Sequence, residues 1–199
     1  NKKELANKLL EARDKMRSRL DDANIADFVE PFNSEKFNSN ASVAENILFG
    51  TPVGELFEVE NLGNNEYVMG LLEKVGLRDE FIRKGQRLAE IMVDLFQGLP
   101  ADHEFWEKFS FIGPDDLPEF QAVLKRVAEN GLEKLSQEDQ SLLVELPFKL
   151  IPARHHLGLV DDEFEARILE ARKEFSENLP ENLVASVEFF EAGDYNAAS

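Results

Sequence analysis

The sequence contains no cysteine, and it has only one tryptophan and three histidines among its 199 residues. A chain without cysteine forms no disulfide, presents no thiolate nucleophile and builds no cysteine metal site. The sequence also lacks an unbroken apolar run of the roughly 18 residues that a membrane-spanning helix needs. We therefore expect no direct insertion into a membrane.

Basic residues are scarce. The chain has 22 Lys and Arg against 40 Asp and Glu, which gives a formal net charge of −18 at pH 7. A surface of this sign repels the phosphates of nucleic acids, so we expect no nucleic-acid partner. The densest basic stretch, residues 2–19, also contains Glu4, Glu11 and Asp14. It therefore has the composition of a solvated helix face.

Apolar residues, including sixteen phenylalanines, make up 43% of the chain, which is enough for a hydrophobic core. Their dominant spacing is three and four residues, as in an amphipathic helix. With the capping signals, this spacing predicts helices over residues 4–20, 42–48, 65–75, 78–96, 114–129, 136–146, 161–176 and 180–190. No alternating run typical of strands is longer than a few residues. The predicted fold is all-α, a compact multi-helix orthogonal array that forms a single helical domain over residues 1–199.

A charged helix followed by a loop rich in aromatic residues and asparagine occurs twice. Glu-Ala-Arg stands at residues 11–13 and again at 170–172, and Phe37-Asn38 aligns with Tyr195-Asn196. We interpret this as an internal repeat, with repeat-like loops at 24–42 and 187–199. Two copies are too few for a solenoid. The alternative interpretation is that two amphipathic helices with polar loops resemble each other by chance. The second copy stops at Ala-Ser, where the first continues, so we expect a fragment of a longer protein.

Residues 38–50 carry the most informative motif, Asn-Ser-Asn-Ala-Ser-Val-Ala-Glu-Asn-Ile-Leu-Phe-Gly. This stretch resembles the segment after the Q-loop in ATP-binding-cassette (ABC) transporter ATPases, especially exporters, and it is echoed at 187–199. In that family the segment leads into the helical subdomain. The match covers about thirteen residues, and Ser42 with Glu45 could by themselves be only a helix start.

The family's nucleotide-binding motifs are missing. The sequence has no Gly-Lys dipeptide and hence no P-loop, and Ser34 stands roughly where the Q-loop glutamine would fall. Residues 135–139 begin like the signature motif but lack both of its glycines, and no apolar strand precedes an Asp-Glu pair. We therefore expect no catalytic residue, no cofactor site and no ATPase activity in this chain. ATP and Mg²⁺ are implied only for the parent protein.

The resemblance implies a non-catalytic helical insertion or regulatory domain of such an ATPase. In the family this region faces the transmembrane partner and moves when nucleotide closes the cassette dimer. The implied partners are the rest of the ATPase chain and a transmembrane domain, at the cytoplasmic face of the membrane. The candidate coupling residues combine the carried-over positions with those of the repeated loop: Ser42, Glu45, Asn46, Phe49, Phe37, Asn38, Tyr195 and Asn196.

Other sites are weaker. His155 and His156 precede Asp161 and Asp162, but adjacent histidines diverge on a helix, so a polar loop is preferred to a metal site and we expect no bound metal.

Paired carboxylates abound, as an acidic chain requires, and most suit helix N-termini. A hydrolase built on them therefore has little support.

Two interpretations remain open beside the ABC resemblance. The aromatic residues of segment 105–120 fit core packing better than a partner-binding surface, although either could use them.

The whole chain could also be a free-standing acidic helical adaptor for a basic protein partner. Association of such an adaptor would weaken strongly with salt.

Overall fold

The structure is a computed structural model that describes Lys15, Arg19 and residues 29–31, 33–190 and 195–197. Its contacts divide the chain into two units, residues 34–190 and residues 1–33 together with 191–199. The helix expected over 4–20 lies outside the described residues, except for Lys15 and Arg19, which are helical. The single helical domain over 1–199 stays a prediction.

Helices dominate the unit formed by residues 34–190, as the all-α prediction requires. Its α-helices are α1 (Val43–Leu48), α2 (Glu66–Lys74), α3 (Arg78–Phe96), α4 (Glu104–Phe109), α5 (Leu117–Asn130), α6 (Gln137–Phe148), α7 (Pro152–His155) and α8 (Asp162–Asn178). Short 3₁₀ helices lie at Glu55–Phe57, Val59–Asn64, Leu132–Lys134 and Val184–Ser186. No helix in the described residues is both long and apolar enough to cross a membrane.

Two short antiparallel strand pairs accompany the helices. In one unit β1 (Val29–Pro31) pairs with β4 (Tyr195–Ala197), and in the other β2 (Gly50–Pro52) pairs with β3 (Val187–Phe189). The helix predicted over residues 180–190 is therefore wrong. Residues 181–186 form a turn and a 3₁₀ helix, and Val187–Phe189 pair with β2. Pairing with a distant strand outweighs a weak local helical pattern, because the backbone N–H and C=O groups of the segment form their hydrogen bonds with that strand.

The long helices follow their apolar spacing. In α8 the buried side chains of Phe164, Ile168, Ala171 and Phe175 recur every three or four residues and form one face. Asp161 caps this helix, since its carboxylate accepts a hydrogen bond of 2.8 Å from the amide of Phe164. The helix therefore begins where the sequence predicts it.

Aromatic rings join the helices at the centre of the core. The fully buried ring of Phe81 on α3 lies 4.9 Å from the ring of Phe148 on α6 and 5.7 Å from that of Phe164 on α8, measured between centroids. The ring of Phe57 meets that of Phe175 edge to face at 5.4 Å. Aromatic pairs of this geometry add to the free energy gained by burial alone.

Helices α3 and α6 approach most closely at a glycine. A Cβ atom added to Gly85 would lie 1.9 Å from the carbonyl oxygen of Leu143. Pro147 lies inside α6, four residues after Leu143, and has no N–H to donate to that carbonyl. The carbonyl of Leu143 therefore lies directly against the backbone of residue 85. Only a glycine at that position leaves room for this contact.

Candidate coupling site

Helix α1 begins with a complete capping box. The amide of Glu45 donates to Oγ of Ser42 at 3.1 Å, and the carboxylate of Glu45 accepts from the amide and the hydroxyl of Ser42 at 2.7 and 2.8 Å. Such a box satisfies two amides that a helix start otherwise leaves without acceptors. The spacing of Ser42 and Glu45 in the sequence predicts this start correctly.

Asn46 fastens α1 to the loop before it. Its side chain is 1% exposed. Its Nδ2 donates to the carbonyl oxygens of Asn38 and Ser42 at 2.9 and 3.0 Å, and its Oδ1 accepts from the amide of Asn38 at 2.8 Å. These bonds fold residues 38–46 into one closed segment.

Arg172 of α8 holds this segment from the other side. Its guanidinium donates to the carbonyl oxygens of Ser34 and Lys36 at 2.9 Å each, and to the carbonyl and Oδ1 of Asn46 at 2.6 and 2.8 Å. Arginine suits this position because its planar fork directs several donors at once. We call this cluster of Ser34, Lys36, Asn46 and Arg172 the arginine anchor.

Burial of the arginine anchor lowers the pKa of its guanidinium. Arg172 is 4% exposed, and removal of its guanidinium from water lowers its pKa to about 10. The group thus stays protonated at neutral pH. The guanidinium also lies 4.6 Å from the centroid of the Phe49 ring, where a cation–π contact adds to the hydrogen bonds.

The anchored segment leads directly into the β2–β3 pair. Phe49 ends α1 in a left-handed conformation, with φ and ψ both at 45°. Gly50 then lies opposite Phe189, and the carbonyl of Phe49 accepts from the amide of Phe190 at 2.9 Å. The rings of Phe49 and Phe190 meet edge to face at 5.7 Å. The beginning and the end of the helical region are therefore adjacent.

The residues expected to couple differ in exposure. Ser42, Asn46 and Asn38 are buried, Glu45 is exposed, and Phe37 and Phe49 are half-buried. Within the described part of the chain, Nδ2 of Asn38 is a buried donor with no hydrogen-bond partner. The structure thus gives the buried members a role in holding the segment together.

The structure also places the two candidates from the second repeat copy. Tyr195 and Asn196 lie in β4, opposite Pro31 and Glu30. The loop predicted over 24–42 thus contains a strand, because residues 29–31 find partners far along the sequence.

Arg172 is the main residue of this site that the motif at residues 38–50 does not predict. An arginine in the middle of an acidic amphipathic helix reads as a surface residue, because arginine is seldom fully buried. One signal for it existed, since Arg172 ends the Glu-Ala-Arg at residues 170–172 that aligns with residues 11–13. Glu-Ala-Arg also stands at residues 165–167, so the tripeptide by itself does not distinguish Arg172 from Arg167.

The segment that begins like the signature motif forms a helix start. Ser136 caps α6 by accepting from the amide of Asp139 at 3.1 Å. Asp139 stands three residues after Ser136, the spacing of a capping box, but its carboxylate accepts from Arg126 instead, with hydrogen bonds of 2.8 and 2.6 Å. These bonds hold the pKa of Asp139 below its ordinary value. Only one half of a capping box, the bond to Ser136, is therefore present.

Two of the three histidines, His103 and His155, accept hydrogen bonds from backbone amides. Nδ1 of His103 accepts from the amide of Phe105, and Nδ1 of His155 accepts from the amide of Ile151 at 2.9 Å. Across the residues that the structure describes, no three His, Asp or Glu side chains are grouped as metal ligands would be.

Comparison of the chain with protein-family models, curated proteins and solved structures finds no match.

Proposed function

We propose that this chain is a non-catalytic helical insertion of an ABC transporter ATPase, which couples nucleotide state to a transmembrane partner. The observation that carries the proposal is the antiparallel pairing of β2 with β3. An inserted domain needs neighbouring ends, because it interrupts one connection of its host. Gly50, the last residue of the family-like motif, lies opposite Phe189 and meets this need.

The arginine anchor supports the coupling role. Two of its four hydrogen bonds tie Asn46 of the family-like segment to α8, and the other two reach Ser34 and Lys36 just before that segment. A displacement of α1 would therefore move α8 with it. In this proposal the chain acts at the cytoplasmic face of the membrane through its parent, and ATP and Mg²⁺ bind elsewhere in that parent.

The first experiment is to sequence the encoding reading frame beyond both ends of this chain. We expect a P-loop upstream, and a second Glu-Asn-Ile-Leu-Phe-Gly followed by a signature motif and a Walker B strand downstream. A frame that starts and stops near residues 1 and 199 would overturn the proposal.

The second experiment measures ATP hydrolysis and thermal unfolding of the chain with micromolar ATP and Mg²⁺. We expect no turnover and no shift of the midpoint, because the sequence has no phosphate-binding loop. The matched variant is Ser136→Ala, in the stretch that begins like the signature. A reproducible shift that this variant abolishes would contradict the assignment of Ser136 as a cap alone.

Coupling itself is tested in the full-length parent with its transmembrane partner. Arg172→Met should leave basal ATP hydrolysis near the wild-type rate and reduce its stimulation by transported substrate. Arg87→Met, on an exposed part of α3, is the matched control and should change neither rate. Retained stimulation in Arg172→Met would refute the coupling role while leaving the insertion intact.

A second function, the free-standing acidic adaptor, is favoured by the start of α8. Asp161, Asp162, Glu163 and Glu165 crowd this end of the helix, and the pKa of Glu165 is raised by burial and by the charges of Asp162 and Asp161. A basic partner would relieve this repulsion. If the reading frame ends near residue 199, we expect association with a basic protein that weakens as salt is raised.

A further inference from the structure

A cleft at the C-terminal end of α3 differs in its lining from the acidic surface of the molecule. Its volume is about 550 Å³, within the range of small-molecule sites. The apolar side chains that line it include Leu95, Phe96, Leu99, Phe105, Phe111 and Leu157. The cleft thus offers a largely apolar surface to a ligand.

Two of its apolar side chains are left in solvent. Leu95 is 60% exposed and Phe105 is 46% exposed, which places them among the most exposed large apolar residues described. Single exposed apolar residues are ordinary, but two that flank one apolar cleft are typical of a binding site. A ligand in the cleft would remove both from water.

The polar side of the cleft carries a cationic arginine and two imidazoles. Arg154, His155 and His156 line it together, and none of its described lining residues is an acid. This is a local reversal of sign in a chain with a net charge of −18. The imidazole of His155 lies 4.4 Å from the Phe111 ring, measured between centroids, so the polar and apolar parts of the cleft adjoin.

We propose that this cleft binds a small amphipathic carboxylic acid, whose apolar chain lies along Phe96 and Phe105 and whose carboxylate contacts Arg154. Arginine pairs with carboxylates through two parallel hydrogen bonds, which fixes the orientation of the bound acid. The acidic surroundings favour a monoanion over a phosphate dianion, because repulsion by the chain grows with ligand charge. This site is independent of the ABC insertion.

The only tryptophan of the chain reports on the cleft. Trp106 is 8% exposed, and its ring lies 4.6 Å from that of Phe96, which lines the cleft. A ligand in the cleft should therefore change the fluorescence of Trp106 through the Phe96 ring.

The test compares probes with one tail and different head groups, all below their micelle concentrations. Decanoate, decanol and decyltrimethylammonium are titrated by calorimetry and by Trp106 fluorescence. We expect one saturable site that prefers decanoate to decanol by about tenfold, as one charge-assisted pair allows, and that binds decyltrimethylammonium most weakly. Butanoate should bind hardly at all, because its tail buries little apolar surface.

Variants separate the two halves of the site. Arg154→Gln should weaken decanoate about tenfold and leave decanol unchanged, whereas Phe105→Ala should weaken both. Arg87→Gln makes the same change of charge at an arginine outside the cleft and should leave all affinities unchanged. Circular dichroism establishes that each variant is folded.

Three outcomes would overturn the proposal. Equal affinity for the three decyl probes would make the cleft an unselective apolar patch. Absence of saturable binding would leave it without a small-molecule ligand. Sedimentation that shows a dimer, dissociated by Phe105→Ala, would assign the cleft to a second copy of the chain.

Discussion

The carbonyl oxygen of Leu143 occupies the position that a Cβ atom of residue 85 would need, so helices α3 and α6 touch backbone to backbone at Gly85. Gly85→Ala should therefore destabilise the protein by about 1–3 kcal/mol or more, because the two helices must separate. Urea unfolding followed by circular dichroism measures this change.

The control for this substitution is Gly70→Ala in α2. A Cβ atom at Gly70 meets nothing within 4 Å. Alanine should there stabilise the helix by about 0.5–1 kcal/mol, because it reduces the conformational entropy of the unfolded chain. If both variants lost stability equally, the close contact with Leu143 would not be the cause at Gly85.

The arginine anchor should contribute more than any surface charge. Arg172→Met leaves the buried carbonyl of Asn46 and the partly buried carbonyls of Ser34 and Lys36 without this donor, so we expect a loss of about 3–5 kcal/mol in the free energy of unfolding. Arg172→Lys should recover only part of it, because one ammonium cannot reproduce the planar fork. Chemical denaturation of both variants provides the measurement.

An exposed arginine supplies the comparison for the arginine anchor. The side chain of Arg87 is 61% exposed and pairs with Glu90 within one helix turn. Arg87→Met should cost no more than about 0.5 kcal/mol. A similar loss for the Arg87 and Arg172 variants would contradict the role given to the arginine anchor.

The capping box of α1 should show coupling between its two residues. Ser42→Ala and Glu45→Ala each remove a hydrogen-bonded cap, and each should cost about 0.5–2 kcal/mol. Because each side chain bonds to the other residue, the double variant should lose less than the sum of the single losses. Urea unfolding of all four proteins gives the cycle. Strict additivity would show that the two hydrogen bonds act independently.

Acid should weaken the fold through His155. Burial, and then the charges of Arg154 and His156, lower the pKa of His155 to about 4 from an ordinary value of 6.5. The unfolded chain then binds the proton more readily, so this contribution to stability is complete above pH 6.5 and declines as the pH falls toward 4. Between about pH 7 and about pH 5 we expect a loss on the order of 1 kcal/mol, after allowance for solvent screening of a half-exposed ring.

The same titration in His155→Gln isolates this effect. Glutamine stays neutral and keeps an acceptor for the amide of Ile151, so stability should depend less on pH in this interval. His156→Gln, at the exposed neighbour, should keep most of the wild-type dependence. An unchanged slope in His155→Gln would assign the acid sensitivity to other groups.

Local patterns were sufficient for the long helices, but they missed the short helices α4 and α7, predicted a helix over 180–190 that does not form, and did not reveal the contacts between distant residues. The apolar spacing predicts α3 over residues 78–96 as observed, and Ser42 with Glu45 marks the start of α1. The sequence does not show that Val187–Phe189 pairs with residues 50–52, because that ladder depends on a partner far along the chain. Gly85 and Arg172 escape notice for the same reason. Their importance lies in the opposing backbone, which a single segment does not contain.

The distance along the chain between Asn46 and Arg172, 126 residues, has a consequence for biosynthesis. At ribosomal rates of about 5–20 residues per second, roughly 6–25 s pass between the synthesis of the two residues. During that interval α2, α3, α5 and α6 can already form from local sequence, while the segment around Asn46 still lacks its arginine. The family-like segment is therefore among the last parts of the nascent chain to reach its native contacts, and a ribosome that stalls before residue 172 releases the helices without it.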